Sequence, residues 1–155
     1  MVANDPADVI DIHTGLTVSD LERSVKFYTD LVGMEIVGRW ASNPSRSWNN
    51  AEIDRIEVAQ LAIPGGRYQL QLAQVFGGTQ ERLPGRPWDV GASHLGLIVD
   101  DLERAVLKLQ ERGFTPRSGP LKPGGGSSGW ARLRGAFIPD PDGFNIELLQ
   151  ITKNT

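Results

Sequence analysis

The stretch H-T-G-L-T-V-S-D-L-E-R-S-V, His13 to Val25, returns as H-L-G-L-I-V-D-D-L-E-R-A-V, His94 to Val106, at a constant offset of 81 and with nine of thirteen positions identical. A self-match of this length means that the chain repeats one supersecondary unit, so the fold is read from the unit first. In each copy apolar and polar residues alternate, over Ile10 to Val18 and over Ser93 to Val99, which is the period of a half-buried strand. A helix follows in both. Ser19 with Glu22, and Asp100 with Glu103, form capping pairs at its start. Leu21, Val25 and Leu31, like Leu102, Val106 and Leu109, give it an apolar face, and Gly33 and Gly113 stand where a left-handed closing residue is wanted.

The later parts of the two copies also match. R-Y-Q-L-Q-L-A-Q, Arg67 to Gln74, aligns with G-F-N-I-E-L-L-Q, Gly143 to Gln150, pairing Gln71 with Glu147 and Gln74 with Gln150. Each of these strands follows a turn, I-P-G-G at Ile63 to Gly66 and I-P-D-P-D-G at Ile138 to Gly143, as a hairpin requires. Further strands are expected at Glu35 to Trp40, Arg55 to Ile63, Thr115 to Arg117 and Ala131 to Phe137. The fold class is therefore α+β: two tandem βαβββ modules, about 9–76 and 92–152, forming a curved eight-stranded sheet around a cleft. A Gly- and Pro-rich linker at about 77–91 joins them, and the 155 residues make a single domain.

Composition narrows the function. A net charge of -3 gives no basic face for nucleic acid or anionic membrane, which leaves a small molecule as the expected partner. No apolar run approaches the roughly 20 residues of a membrane helix, and the start M-V-A-N-D-P-A-D lacks the basic and apolar regions of a secretory signal, so a cytoplasmic protein is expected. With no cysteine, a metal must be held by imidazole, carboxylate or amide oxygen.

The two histidines of the chain, His13 and His94, occupy equivalent places, and the same repeat relates Gln71 to Glu147. Four polar side chains at duplicated positions are candidates to meet at one divalent cation. The competing reading makes the histidines hydrogen-bonding fillers of a pseudosymmetric core. Two imidazoles, one carboxylate and one amide oxygen suit zinc, cobalt, nickel or manganese and leave coordination positions for substrate. With one carboxylate rather than two, the cation stays a strong Lewis acid toward an oxyanion such as an enolate. If Gln71 does not ligate, His13, His94 and Glu147 form a facial triad suited to iron(II) and oxygen chemistry.

The H-x-G-L-x-V-x-D-L-E openings, the closing strand D-P-D-G-F-N-I-E-L-L-Q and the repeat itself resemble the vicinal oxygen chelate superfamily, over Ile12 to Gln150. That family includes glyoxalase I, methylmalonyl-CoA epimerase, extradiol dioxygenases and the fosfomycin and bleomycin resistance proteins. The resemblance implies metal ligands on the first and last strands of each module, here His13, Gln71, His94 and Glu147, and a homodimer. The order His, Gln, His, Glu is similar to that of methylmalonyl-CoA epimerases, so a divalent-metal-dependent epimerase or isomerase acting by proton abstraction next to a carbonyl is the leading expectation. The alternatives are a glyoxalase I-type lyase, an iron(II) extradiol-type dioxygenase and a non-catalytic antibiotic-binding protein. Extradiol enzymes use an additional histidine, which this chain lacks; Tyr28 or Tyr68 would have to replace it. An epimerase needs acid–base groups on both faces of its substrate, so candidates beyond Glu147 are required: Glu57 and Gln60 within a strand, and Glu52 and Asp54 just before it. Trp48, Trp130 and Phe137 are the candidate substrate contacts, and the glycine-rich run Lys122 to Trp130 is a candidate lid.

Overall fold

The structure is a computed structural model, and it describes residues 12–43, 52–82, 86, 89–117 and 132–152. Two compact units make up the chain, Met1–Thr79 and Gln80–Thr155. Unit 1 runs β1 (His13–Thr17), α1 (Leu21–Asp30), β2 (Glu35–Ser42), β3 (Ile53–Ala62) and β4 (Gln69–Gly77), the expected βαβββ order. Its sheet has the order β1-β4-β3-β2, with β1 parallel to β4 and the other pairs antiparallel. Unit 2 runs β5 (His94–Ile98), α2 (Leu102–Gln110), β6 (Arg132–Pro139) and β7 (Asn145–Thr152), in a sheet of order β5-β7-β6 with β5 parallel to β7.

The described residues thus form two sheets with seven strands, where one eight-stranded sheet was expected. The strand expected at Thr115 to Arg117 does not form among them. Pro116 has no N–H to give to a ladder, and among the described residues the segment's backbone bond runs from the Arg117 N–H to the Phe137 carbonyl at 2.8 Å.

Each sheet packs one face against its own helix. In unit 1 that face carries Leu16, Leu61, Leu70 and Leu72, buried with Val25 and Tyr28 of α1. In unit 2 it carries Leu95, Ile138, Ile146 and Leu148, buried with Leu102, Val106 and Leu109 of α2. Each such side chain contributes about 1.5–3 kcal/mol of burial. The caps lie one residue beyond the expected Ser19 and Asp100: Asp20 accepts from the Arg23 N–H at 3.0 Å and Asp101 from the Arg104 N–H at 2.9 Å. That shift makes Leu21 and Leu102 the first helical residues, and both are buried. Glu22 and Glu103, freed from capping, bond Arg39 and Arg134 instead. The matched glutamines acquire a physical role here. The Gln74 Oε1 accepts from the Leu21 N–H at 2.8 Å, and the Gln150 Nε2 donates to the Asp100 carbonyl at 2.6 Å, so each last strand is tied to the start of its helix.

Candidate metal centre

Strand register decides which side chains share a face, because bridge partners point the same way and side chains alternate along each strand. In unit 1, His13 pairs with Gln69, and Gln71 pairs with Gln60 across the hairpin. His13, Gln69, Gln71 and Gln60 therefore stand together on the face opposite α1. The Gln60 amide N–H donates to the Gln69 carbonyl oxygen, forming a neutral amide array beside His13. In unit 2 the same construction recurs: His94 pairs with Asn145, Glu147 lies two residues further along β7, and Phe137 stands directly across from Glu147. Here the diagonal is closed. His94 Nε2 lies 3.1 Å from Glu147 Oε2, with the imidazole half exposed and the carboxylate 19% exposed.

This separation bears on whether a cation fits. Two donors at about 2.1 Å from a metal and at right angles to one another are roughly 3.0 Å apart. The His94–Glu147 pair has nearly that edge length, and imidazole nitrogen with carboxylate oxygen is a donor pair that zinc, cobalt, nickel and manganese all accept. Among the described residues no group of three His, Asp or Glu side chains gathers at one point. His13 and Gln71 in unit 1 thus occupy places equivalent to those of His94 and Glu147 in unit 2.

The candidate bases separate cleanly. Gln60 shares the face of Gln71. Glu57 pairs with Gln74, whose side chain reaches α1, so Glu57 belongs to the helix-bearing face, where Arg55 binds it at 2.9 Å, and not to the face of His13 as a base there would require. Asp54 and Glu52 are exposed at the far end of β3, six and eight positions from Gln60, or about 20 Å and more along the strand. Tyr28 is fully buried in the helix–sheet core with its ring edge-on to Phe27, and so cannot replace a histidine in acid–base work on the opposite face. Phe137 touches the His94 ring edge-on, centroids 5.7 Å apart. Trp48, Trp130 and the run 122–130 lie outside the described residues.

Asn145 and Gln69 were not singled out by sequence as neighbours of the histidines. The signal was present, because a polar residue precedes each last-strand donor by two positions in both copies of an otherwise apolar strand. Hydrogen bonds from Arg39 hold Glu22 below the usual glutamate range, and those from Arg134 do the same to Glu103.

A family model described as "Glyoxalase/Bleomycin resistance protein/Dioxygenase superfamily" matches residues 12–148. A lactoylglutathione lyase of Salmonella typhimurium is 31% identical over 143 residues, covering 90% of this chain and 90% of that protein. Among solved structures, a glyoxalase family protein of Bacillus cereus superposes with a TM-score of 0.77 over 98% of this chain and 99% of its own, at 16% identity. The trypanothione-dependent glyoxalase I of Leishmania major superposes with a TM-score of 0.62, at 26% identity over 89% of this chain and 84% of its own.

Proposed function

Since the chain belongs to the glyoxalase/bleomycin resistance protein/dioxygenase superfamily, we propose that it is a divalent-metal-dependent lyase of the glyoxalase I type. Its substrate would be the adduct of a 2-oxoaldehyde with a thiol, glutathione being the thiol named in the relatives. His13, Gln71, His94 and Glu147 would hold one zinc, cobalt, nickel or manganese ion. When bound, that ion supplies charge stabilisation to the oxygens of the developing enediolate. Two copies of the chain acting as a homodimer belong to the same proposal, and light scattering giving twice the mass of one chain supports it.

The observation that carries the choice of reaction is the inequality of the two half-sites. Around His13 the first unit gathers three neutral glutamines, Gln71 among them, while the second unit pairs an imidazole with a carboxylate at 3.1 Å. Conversion of such an adduct to a 2-hydroxyacyl thioester removes a proton from one carbon and returns it to the next. One carboxylate, Glu147, suffices for both steps. Inversion at a single carbon, as in an epimerase, needs an acid and a base on opposite faces. Of the candidate second bases, Gln60 does not titrate and Glu57 lies on the helix-bearing face. The lyase therefore replaces the epimerase as the leading reading.

The test is incubation of zinc-, cobalt-, nickel- and manganese-loaded protein with the methylglyoxal–glutathione adduct. Loss of adduct with formation of one thioester per molecule consumed supports the proposal. Inertness toward the adduct with every metal overturns it, and ligand binding without metal uptake would instead favour an antibiotic-binding protein.

A further inference from the structure

His94, Glu147 and Phe137 come from three adjacent strands, β5, β7 and β6, with the carboxylate on the central one. Strands flanking a common neighbour lie roughly 9.6 Å apart. Ring centroids only 5.7 Å apart, at an interplanar angle of 85°, therefore mean that the imidazole and the phenyl ring lean toward each other above β7, the strand that carries Glu147. The backbone of Phe137 is fixed in turn. Its carbonyl accepts from the Arg117 N–H, and the Arg117 side chain donates to the Gly143 carbonyl at 2.9 Å in the turn that precedes β7. At the equivalent position of unit 1 stands Gln60, whose amide is bonded to Gln69.

We infer that Phe137 is a positioning residue for the His94–Glu147 pair: its ring edge restricts the half-exposed imidazole to the orientation in which Nε2 meets the carboxylate, and it covers one side of Glu147. This inference rests on the proposed ligand role of His94 and Glu147. Groups that orient a metal ligand from outside the coordination shell change affinity by about 10–100-fold when removed. A substrate contact would behave otherwise, raising KM while leaving metal affinity unchanged.

Full-length wild type, Phe137→Leu, Phe137→Tyr and His94→Ala are compared by zinc titration against a chromogenic competitor and by KM for the methylglyoxal–glutathione adduct. Proton–nitrogen correlation of the imidazoles in the metal-free proteins completes the set. The two histidines give two signals, so His13 serves as an internal reference. The expected result is a zinc affinity at least ~10-fold weaker for Phe137→Leu, displaced His94 signals with His13 unmoved, an unchanged KM, and recovery in Phe137→Tyr. Unaltered zinc affinity and unaltered His94 signals in Phe137→Leu, against a His94→Ala protein that has lost zinc, overturn this inference alone. Unaltered zinc affinity in His94→Ala overturns the ligand reading and this inference with it. If Phe137→Leu does not fold, Phe137→Met is measured in its place against the same criteria.

Discussion

Replacing Glu147 by glutamine removes one negative charge and the carboxylate that meets His94 while keeping the shape of the side chain. Its contact with His94, 3.1 Å between a half-exposed imidazole and a carboxylate 19% exposed, contributes less than about 1 kcal/mol to folding. The variant is therefore expected to stay folded, with its melting temperature within a few degrees of wild type. Its effect on turnover is much larger. Gln60 and Gln69, the polar neighbours of His13 and Gln71 in the first unit, cannot take up a proton, so neither substitutes for the lost base. The general-base contribution is then lost in full, about 10²–10⁴ in kcat, or roughly 3–5 kcal/mol of activation free energy. Single-turnover loss of the methylglyoxal–glutathione adduct, measured at saturating metal with metal content assayed in parallel, gives this number without confusing chemistry with binding. A metal-loaded Glu147→Gln protein retaining more than about a tenth of wild-type kcat would refute the assignment of Glu147 as base.

Four further substitutions have expected outcomes. Gln71→Ala is expected to weaken zinc about 10-fold or more while sparing the fold, and isothermal titration checks it; unchanged affinity would leave a three-donor site. Gly77 has φ +85°, and a Cβ there would meet the Glu52 carbonyl at 2.3 Å, so Gly77→Ala should cost about 2–4 kcal/mol in denaturant unfolding. Gly91, with φ +87° and open space around it, should lose only about 1–2 kcal/mol on the same change. The Glu22–Arg39 pair predicts a pH dependence. Because Arg39 lowers the carboxyl pKa in the folded chain, the pair stabilises above the ordinary glutamate range and ceases to do so as pH falls through the lowered folded value. Arg39→Met should therefore be slightly less stable than wild type at neutral pH, by under about 1 kcal/mol for so exposed a pair, and equal to it in strong acid by thermal melts across pH.

The repeat made most of the fold legible, because His13 to Val25 and His94 to Val106 carry strand period, cap and helix face in the same order. Where two capping residues stand side by side, as Ser19 with Asp20 and Asp100 with Asp101, composition does not choose between them; burial of Leu21 and Leu102 does. The face of Glu57 was not legible for a related reason. Ile56, Val58, Ala59 and Leu61 are buried on both faces of β3, so the alternation that tells one face from the other is erased around it. The expected strand at Thr115 to Arg117 overlooked the missing N–H of Pro116. His94 and Glu147 could be paired in advance because duplication marks equivalent positions. The contact of Phe137 with His94 could not, since it depends on the β5-β7-β6 order, which juxtaposes residues far apart in sequence.

The central claim is that one carboxylate both removes and returns the proton. It is tested most directly by running the metal-loaded reaction in heavy water and measuring hydrogen at the 2-position of the 2-hydroxyacyl thioester. A single base carrying the proton between neighbouring carbons predicts that a substantial part of the product keeps the substrate's own hydrogen, and that this transfer disappears in Glu147→Gln. Complete replacement by deuterium at every metal, with Glu147→Gln unaffected, would contradict it.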